Sequence, residues 1–70
     1  GISDCNTREI GVYRCTTSTA NIPETAKGML ICLSSGEYNW SQIYITSSAL
    51  WIRYSSSATT WGSWVKINQS

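Results

Sequence analysis

Four carboxylates, three thiols, five cations and no histidine limit the chemistry open to this 70-residue chain. A Ser-His-Asp triad or a Cys-His dyad needs an imidazole to take the nucleophile's proton, so neither can be built. The carboxylates are Asp4, Glu9, Glu24 and Glu37. A glycosidase pair would need two of them about 5 to 9.5 Å apart across one bond. No spacing argues for that pair, and the four read as solvated loop charges. The thiols Cys5, Cys15 and Cys32 lack the close Cys pair of a zinc site. Glycines at 1, 11, 28, 36 and 62 form neither a phosphate loop nor a dinucleotide fingerprint. No enzyme activity, metal or cofactor is expected.

Residue types suited to recognition do cluster. Tyr38, Asn39 and Trp40 follow Gly36 and Glu37 in a predicted loop. An exposed ring can stack on the C–H face of a sugar while amide and carboxylate groups satisfy its hydroxyls. Surfaces rich in Tyr, Trp, Asn and Ser bind at low entropy cost. The competing reading folds Trp40 back onto the core. Trp51, Arg53 and Tyr54 make a second candidate group. Arg53 either hydrogen-bonds a sugar, or pairs with Gln42 or stacks on a Trp, since leaving it desolvated and unpaired is costly. Trp61 and Trp64 read as a core pair, because the chain has no Phe. The hydroxyl stretches 16–19 and 55–60 either contact glycans or stay wet.

Positioning these groups falls to short strands. Residues 9–15 alternate, with Ile10, Val12 and Arg14 on one side and Glu9, Gly11, Tyr13 and Cys15 on the other. Gly11 suggests a bulge or a close backbone approach. Residues 22–28 carry the only helix signal: Pro23 at a first helical position, Glu24 after it, Lys27 near the end and Gly28 as a stop. The apolar run 29–33 (MLICL) has the form of a strand buried on both faces. Residues 42–46 and 49–55 alternate around a short polar gap and read as a hairpin. A last strand falls near 63–67. The expected architecture is all-β: a small antiparallel sandwich or barrel-like knob of five to six strands with at most one helical turn. A lead-in segment 1–8 precedes a single β-rich domain, 9–70.

Size and composition bound the rest. A domain this small buries only about 60% of its unfolded surface and usually needs a staple or a partner. Three cysteines allow at most one internal bridge, Cys5–Cys15 or Cys15–Cys32, or stay as three buried thiols in a reducing compartment. Oligomerisation is the expected stabiliser. Charged residues are 13% and the net charge is +1, which leaves no electrostatic footprint for nucleic acid. No apolar run approaches the roughly 20 residues of a membrane span, and no signal-peptide layout is present. Asn39-Trp40-Ser41 and Asn68-Gln69-Ser70 are formal glycosylation acceptors. The sequence begins at Gly1 rather than Met, and is read as a processed or excised piece of a longer chain, or as carrying an added first residue.

One ordered set of motifs is more specific than any of these. It runs Gly11-Val12-Tyr13, Asn21-Ile22-Pro23, Gly28-Met29-Leu30-Ile31, Gln42-Ile43-Tyr44, Trp51-Ile52-Arg53 and Trp61-Gly62-Ser63-Trp64. This order resembles the knob module of bacteriophage tail fibres and tailspikes and of R-type pyocin fibres, over about residues 10–67. The resemblance implies a β-rich domain on a homotrimeric adhesin, joined to an upstream fibre or tailspike domain. It also implies assembly in the bacterial host cytoplasm, a place on the virion tail fibre and a role at the host surface. It fixes no ligand, and the bacterial cell-surface glycan expected as partner comes from the recognition residues above. On this reading Tyr38, Asn39, Trp40, Trp51, Arg53 and Tyr54 are the candidate carbohydrate contacts. The alternative is a trimerisation and capping module with no ligand of its own.

Overall fold

The structure, a computed structural model, describes residues 1–67, so the acceptor Asn68-Gln69-Ser70 lies outside the described residues. Five antiparallel strands form one sheet in chain order: β1 (Gly11–Cys15), β2 (Gly28–Gly36), β3 (Asn39–Ile45), β4 (Leu50–Ser55) and β5 (Val65–Ile67). The all-β expectation holds. The expected hairpin is the β3–β4 pair, closed by Thr46, whose Oγ1 accepts from the Ala49 N–H at 3.0 Å. The second layer is not a second sheet. Three irregular strips cover one face: the lead-in segment, the β1–β2 connection and residues 56–64.

Alternation decides which side chains meet those strips. Cys15, Leu30, Cys32, Gln42, Tyr44, Arg53 and Ser55 project to the covered face and are buried. Cys5 joins them from the lead-in segment and is fully buried. The segment is tied down by backbone bonds: Ile2 N to Arg14 O and Cys5 N to Ala20 O, each 2.9 Å. Cys5 and Cys15 are free thiols with sulfurs 3.8 Å apart, and Cys32 is also free and buried.

No described residue covers the other face. The row Val12, Ile31, Ile43, Ile52 and Val65 crosses all five strands. A second row crosses from Arg14 through Met29, Ile45 and Leu50 to Ile67. The run 29–33 is therefore not buried on both faces in a single chain, since Met29 is 45% and Leu33 48% exposed.

Residues 22–27 form no helix: 23–26 are bends, and Gly28 already belongs to β2. Six or seven residues are too few to overcome helix nucleation, and the local groups serve the sheet instead. Glu24 Oε1 accepts from Trp51 Nε1 at 2.8 Å, and Ala26 O accepts from the Tyr44 hydroxyl at 2.7 Å. Gly28 opens β2 beneath the Tyr44 ring. A Cβ there would lie 2.5 Å from Ile45 O and 2.9 Å from that ring, so only glycine fits without a shift. At Gly11 the ladder has no bulge; the close approach is the Tyr13 ring, folded over it with its hydroxyl donating to Glu9 O at 2.8 Å. The ladder irregularity falls instead between Ser34 and Gly36.

Candidate functional site

The β2–β3 turn and residues 55–60 lie at the same end of the sheet, because Trp40 pairs with Ser55 in register. Between Gly36 and Asn39 the turn leaves only Glu37 and Tyr38. Tyr38 stands 63% exposed at its tip, and Glu37 and Asn39 are exposed beside it. The Asn39 amide donates to the Ser35 hydroxyl, fixing its orientation.

Behind the tip runs a stack of alternating Trp and Arg. The Arg8 guanidinium carbon lies 5.3 Å from the Trp40 ring centre and 4.4 Å from that of Trp61. Arg53 continues the stack, 4.6 Å from Trp61 and 4.4 Å from Trp64. Trp64 ends edge-on against Tyr44, with ring centres 6.1 Å apart. Each desolvated cation–ring contact contributes about 1 to 2 kcal/mol. Among the described residues the buried Trp61 Nε1 has no hydrogen-bond partner, and that ring is held by its faces. Trp40 takes the folded-back position, its Nε1 donating to Glu37 O at 2.9 Å.

Arg8 also rivets the hydroxyl-rich loop. It donates to Ser55 Oγ at 3.2 Å and to the carbonyls of Ser57 and Thr60 at 3.1 Å each. Within this loop the Ser57 hydroxyl accepts from the Thr60 and Thr59 N–H groups at 3.0 and 3.3 Å. Several hydroxyls of 55–60 therefore serve their own backbone. The same holds in 16–19, where Thr19 Oγ1 accepts from the Thr16 N–H at 3.0 Å and donates to Ile2 O at 3.0 Å.

Gln42 and Arg53 face each other on β3 and β4 and clamp the lead-in segment. Arg53 Nε donates to Gln42 Oε1 at 2.8 Å, and its Nη2 donates to Cys5 O at 2.9 Å and Asn6 Oδ1 at 3.0 Å. Gln42 Nε2 donates to the same Cys5 carbonyl at 2.7 Å. Burial pulls the Arg53 pKa down to about 10, which leaves it cationic at neutral pH. Burial, with Cys15 beside it, pushes the Cys5 thiol up to about 12, so it stays protonated and is a poor nucleophile. Asp4 moves the other way, held below its usual value by hydrogen bonds from the Asn21 side chain and the Asn6 N–H. Asn21 makes its bond from a left-handed backbone, φ 62°, which Asn tolerates better than most residues.

The six residues singled out in the sequence therefore divide three ways. Tyr38 and Asn39 are exposed at the turn. Trp40, Trp51 and Arg53 lie on the covered face in structural contacts: Trp51 bonds Glu24 and has the Lys66 amine 5.8 Å from its ring centre. Tyr54 is 52% exposed on the opposite, open face. One site cannot gather all six in a single chain. Sequence reasoning missed Arg8, a lone cation in a polar segment with no periodic signal. Among the described residues, no group of three His, Cys, Asp or Glu side chains is placed to hold a metal ion. No family model, curated protein or solved structure matches this chain.

Proposed function

We propose that this chain is a non-enzymatic attachment module at the tip of a phage-type tail fibre or tailspike, or of an R-type pyocin fibre. It assembles as a homotrimer and binds bacterial surface polysaccharide or lipopolysaccharide without turning it over. The ordered motifs from Gly11 to Trp64 support the fibre assignment. The observation that carries the binding role is the turn Glu37-Tyr38-Asn39. It offers one exposed ring, one carboxylate and one amide oriented by Ser35, on a turn tied at its base by the Trp40–Glu37 hydrogen bond. Preorganisation of this kind lowers the ordering cost of binding a flexible glycan. Gly1 lies beside Arg14 at the other end of the sheet, so a fibre joined there would leave the turn distal.

The test is binding to a panel of immobilised bacterial surface polysaccharides, comparing the chain with Tyr38→Ala. Tyr38 is exposed and makes no side-chain hydrogen bond among the described residues, so its loss leaves the stack of Trp and Arg in place. The expected result is saturable binding to some member of the panel, no release of reducing ends, and at least a tenfold loss in the variant. Equal binding by the variant, or no binding at all, would overturn the assignment. A purely structural trimerisation and capping role is the second reading, favoured by the uncovered apolar face. It predicts that deleting the module yields unassembled fibres, whereas the attachment role predicts assembled fibres that fail to adsorb.

A further inference from the structure

We propose that the open face of the sheet is the surface through which copies of this chain meet, three sheets facing inward around an axis parallel to the strands. The number three rests on the homotrimer proposed above; the surface comes from the structure. The molecule is a slab of 31 × 30 × 16 Å, and the open face is one of its broad sides. Nine large apolar strand residues on it are 37% to 66% exposed. Five strands and six residues of strand length make a face of about 24 by 20 Å, on the order of 500 Å² before side-chain relief is added. That is already at the upper range of a single apolar patch on a monomer.

The chemistry of the face selects its occupant. Among the described residues the strands place one charge on it, Arg14 on the edge strand β1, with Lys27 beside Met29 and Ile45 at the same end of the sheet, and no strand carboxylate lies on it. A charged partner would find no counter-charge in the middle, whereas a second apolar sheet matches it throughout. The run 29–33 makes the same point from the sequence. Apolar residues on both sides are the pattern of a strand covered twice, and one chain supplies only one cover.

Three such faces close well. A triangular prism with sides of about 24 Å sets each sheet about 7 Å from the axis, and packed sheets fill about 5 Å on each side of their midplane. The remaining gap is small enough for the branched side chains of the central strand, Ile43 and Ile45, to close on the axis. Arg14 falls near a corner, where it stays wet. An axis along the strands also places all three Tyr38 turns at one end, where simultaneous engagement multiplies a weak single-site affinity.

Sedimentation velocity on the chain, Ile43→Glu and Thr17→Glu tests this, with near-UV circular dichroism reporting the Trp stack on the opposite face. The chain and Thr17→Glu, whose residue is exposed in the β1–β2 connection, are expected as three-chain species. Ile43→Glu is expected as a single chain with its near-UV signal kept. Should that variant lose the signal, Val65→Glu on the edge strand of the same face takes its place with the same expectation. Three-chain variants that keep assembling would overturn the assigned surface and leave the homotrimer standing. A single-chain parent would overturn both. A two-chain parent that Ile43→Glu dissociates would overturn the threefold arrangement.

Discussion

Replacing Arg53 with methionine removes three hydrogen bonds and two ring contacts at once while keeping a long side chain in place. Hydrogen bonds from a charged donor contribute about 1.5 to 3 kcal/mol each. The Gln42 Oε1, fully buried, is left without its donor, whereas Cys5 O keeps the bond from Gln42 Nε2. Against these losses stands the desolvation of the guanidinium, which methionine avoids. Breaking one side of a buried charged network typically costs about 3 to 5 kcal/mol net. A chain of this length has roughly 4 to 10 kcal/mol in total, so Arg53→Met removes much of it. With a urea slope near 1 kcal/mol/M for so small a chain, the unfolding midpoint falls by about 3 to 5 M. Tryptophan fluorescence in urea reads this directly, at one chain concentration because assembly couples to stability. Arg53→Lys keeps the charge but not the planar fork, and should lose about 1 to 2 kcal/mol. Arg14→Met, an exposed control, should stay within about 0.5 kcal/mol. A midpoint shift below about 1 M for Arg53→Met would refute the clamp as the main fastening of the lead-in segment.

Gly28→Ala should destabilise by about 2 kcal/mol through overpacking, because the added Cβ meets the Ile45 carbonyl, which cannot swing aside. A thermal melt should show a drop of about 10 °C, and an unchanged melt would contradict the close packing. Alkaline pH should weaken the fold. Cys5 and Tyr44 have folded pKa values raised to about 12, so both keep protons that the unfolded chain gives up. Their contribution is intact below the unfolded values and is lost as pH rises toward 12. Arg53, lowered to about 10, acts in the opposite direction above that pH. Melts from pH 8 to 11 should fall, and fall less steeply in Cys5→Ala; a flat profile for the parent would contradict this.

Strand identity was legible because alternation has a physical cause: one face of the sheet meets cover and the other does not. Residues 42–46 and 49–55 show it plainly, and both became strands. Gln42 and Arg53 were legible as alternatives, and the structure makes both, the hydrogen-bonded pair and the Trp stack. The helix signal at 22–28 failed because Pro, Glu and Gly preferences are local, whereas Glu24 and Ala26 are claimed by Trp51 and Tyr44 from distant strands. Trp40 could not be placed from sequence, since its position depends on Arg8 and Trp61, thirty-two residues before it and twenty-one after. Neither was the open face legible. A β-branched row reads the same whether a loop, a second sheet or another chain covers it.

Met29 offers the most direct test of that face, being the only methionine and 45% exposed on it in the single chain. Its conversion to sulfoxide by dilute hydrogen peroxide, followed by intact mass, reports solvent access at one atom. Burial between copies predicts oxidation at least tenfold slower than free methionine at high chain concentration, rising toward the free rate in Ile43→Glu. Oxidation of the parent at the free rate at every concentration would contradict the account.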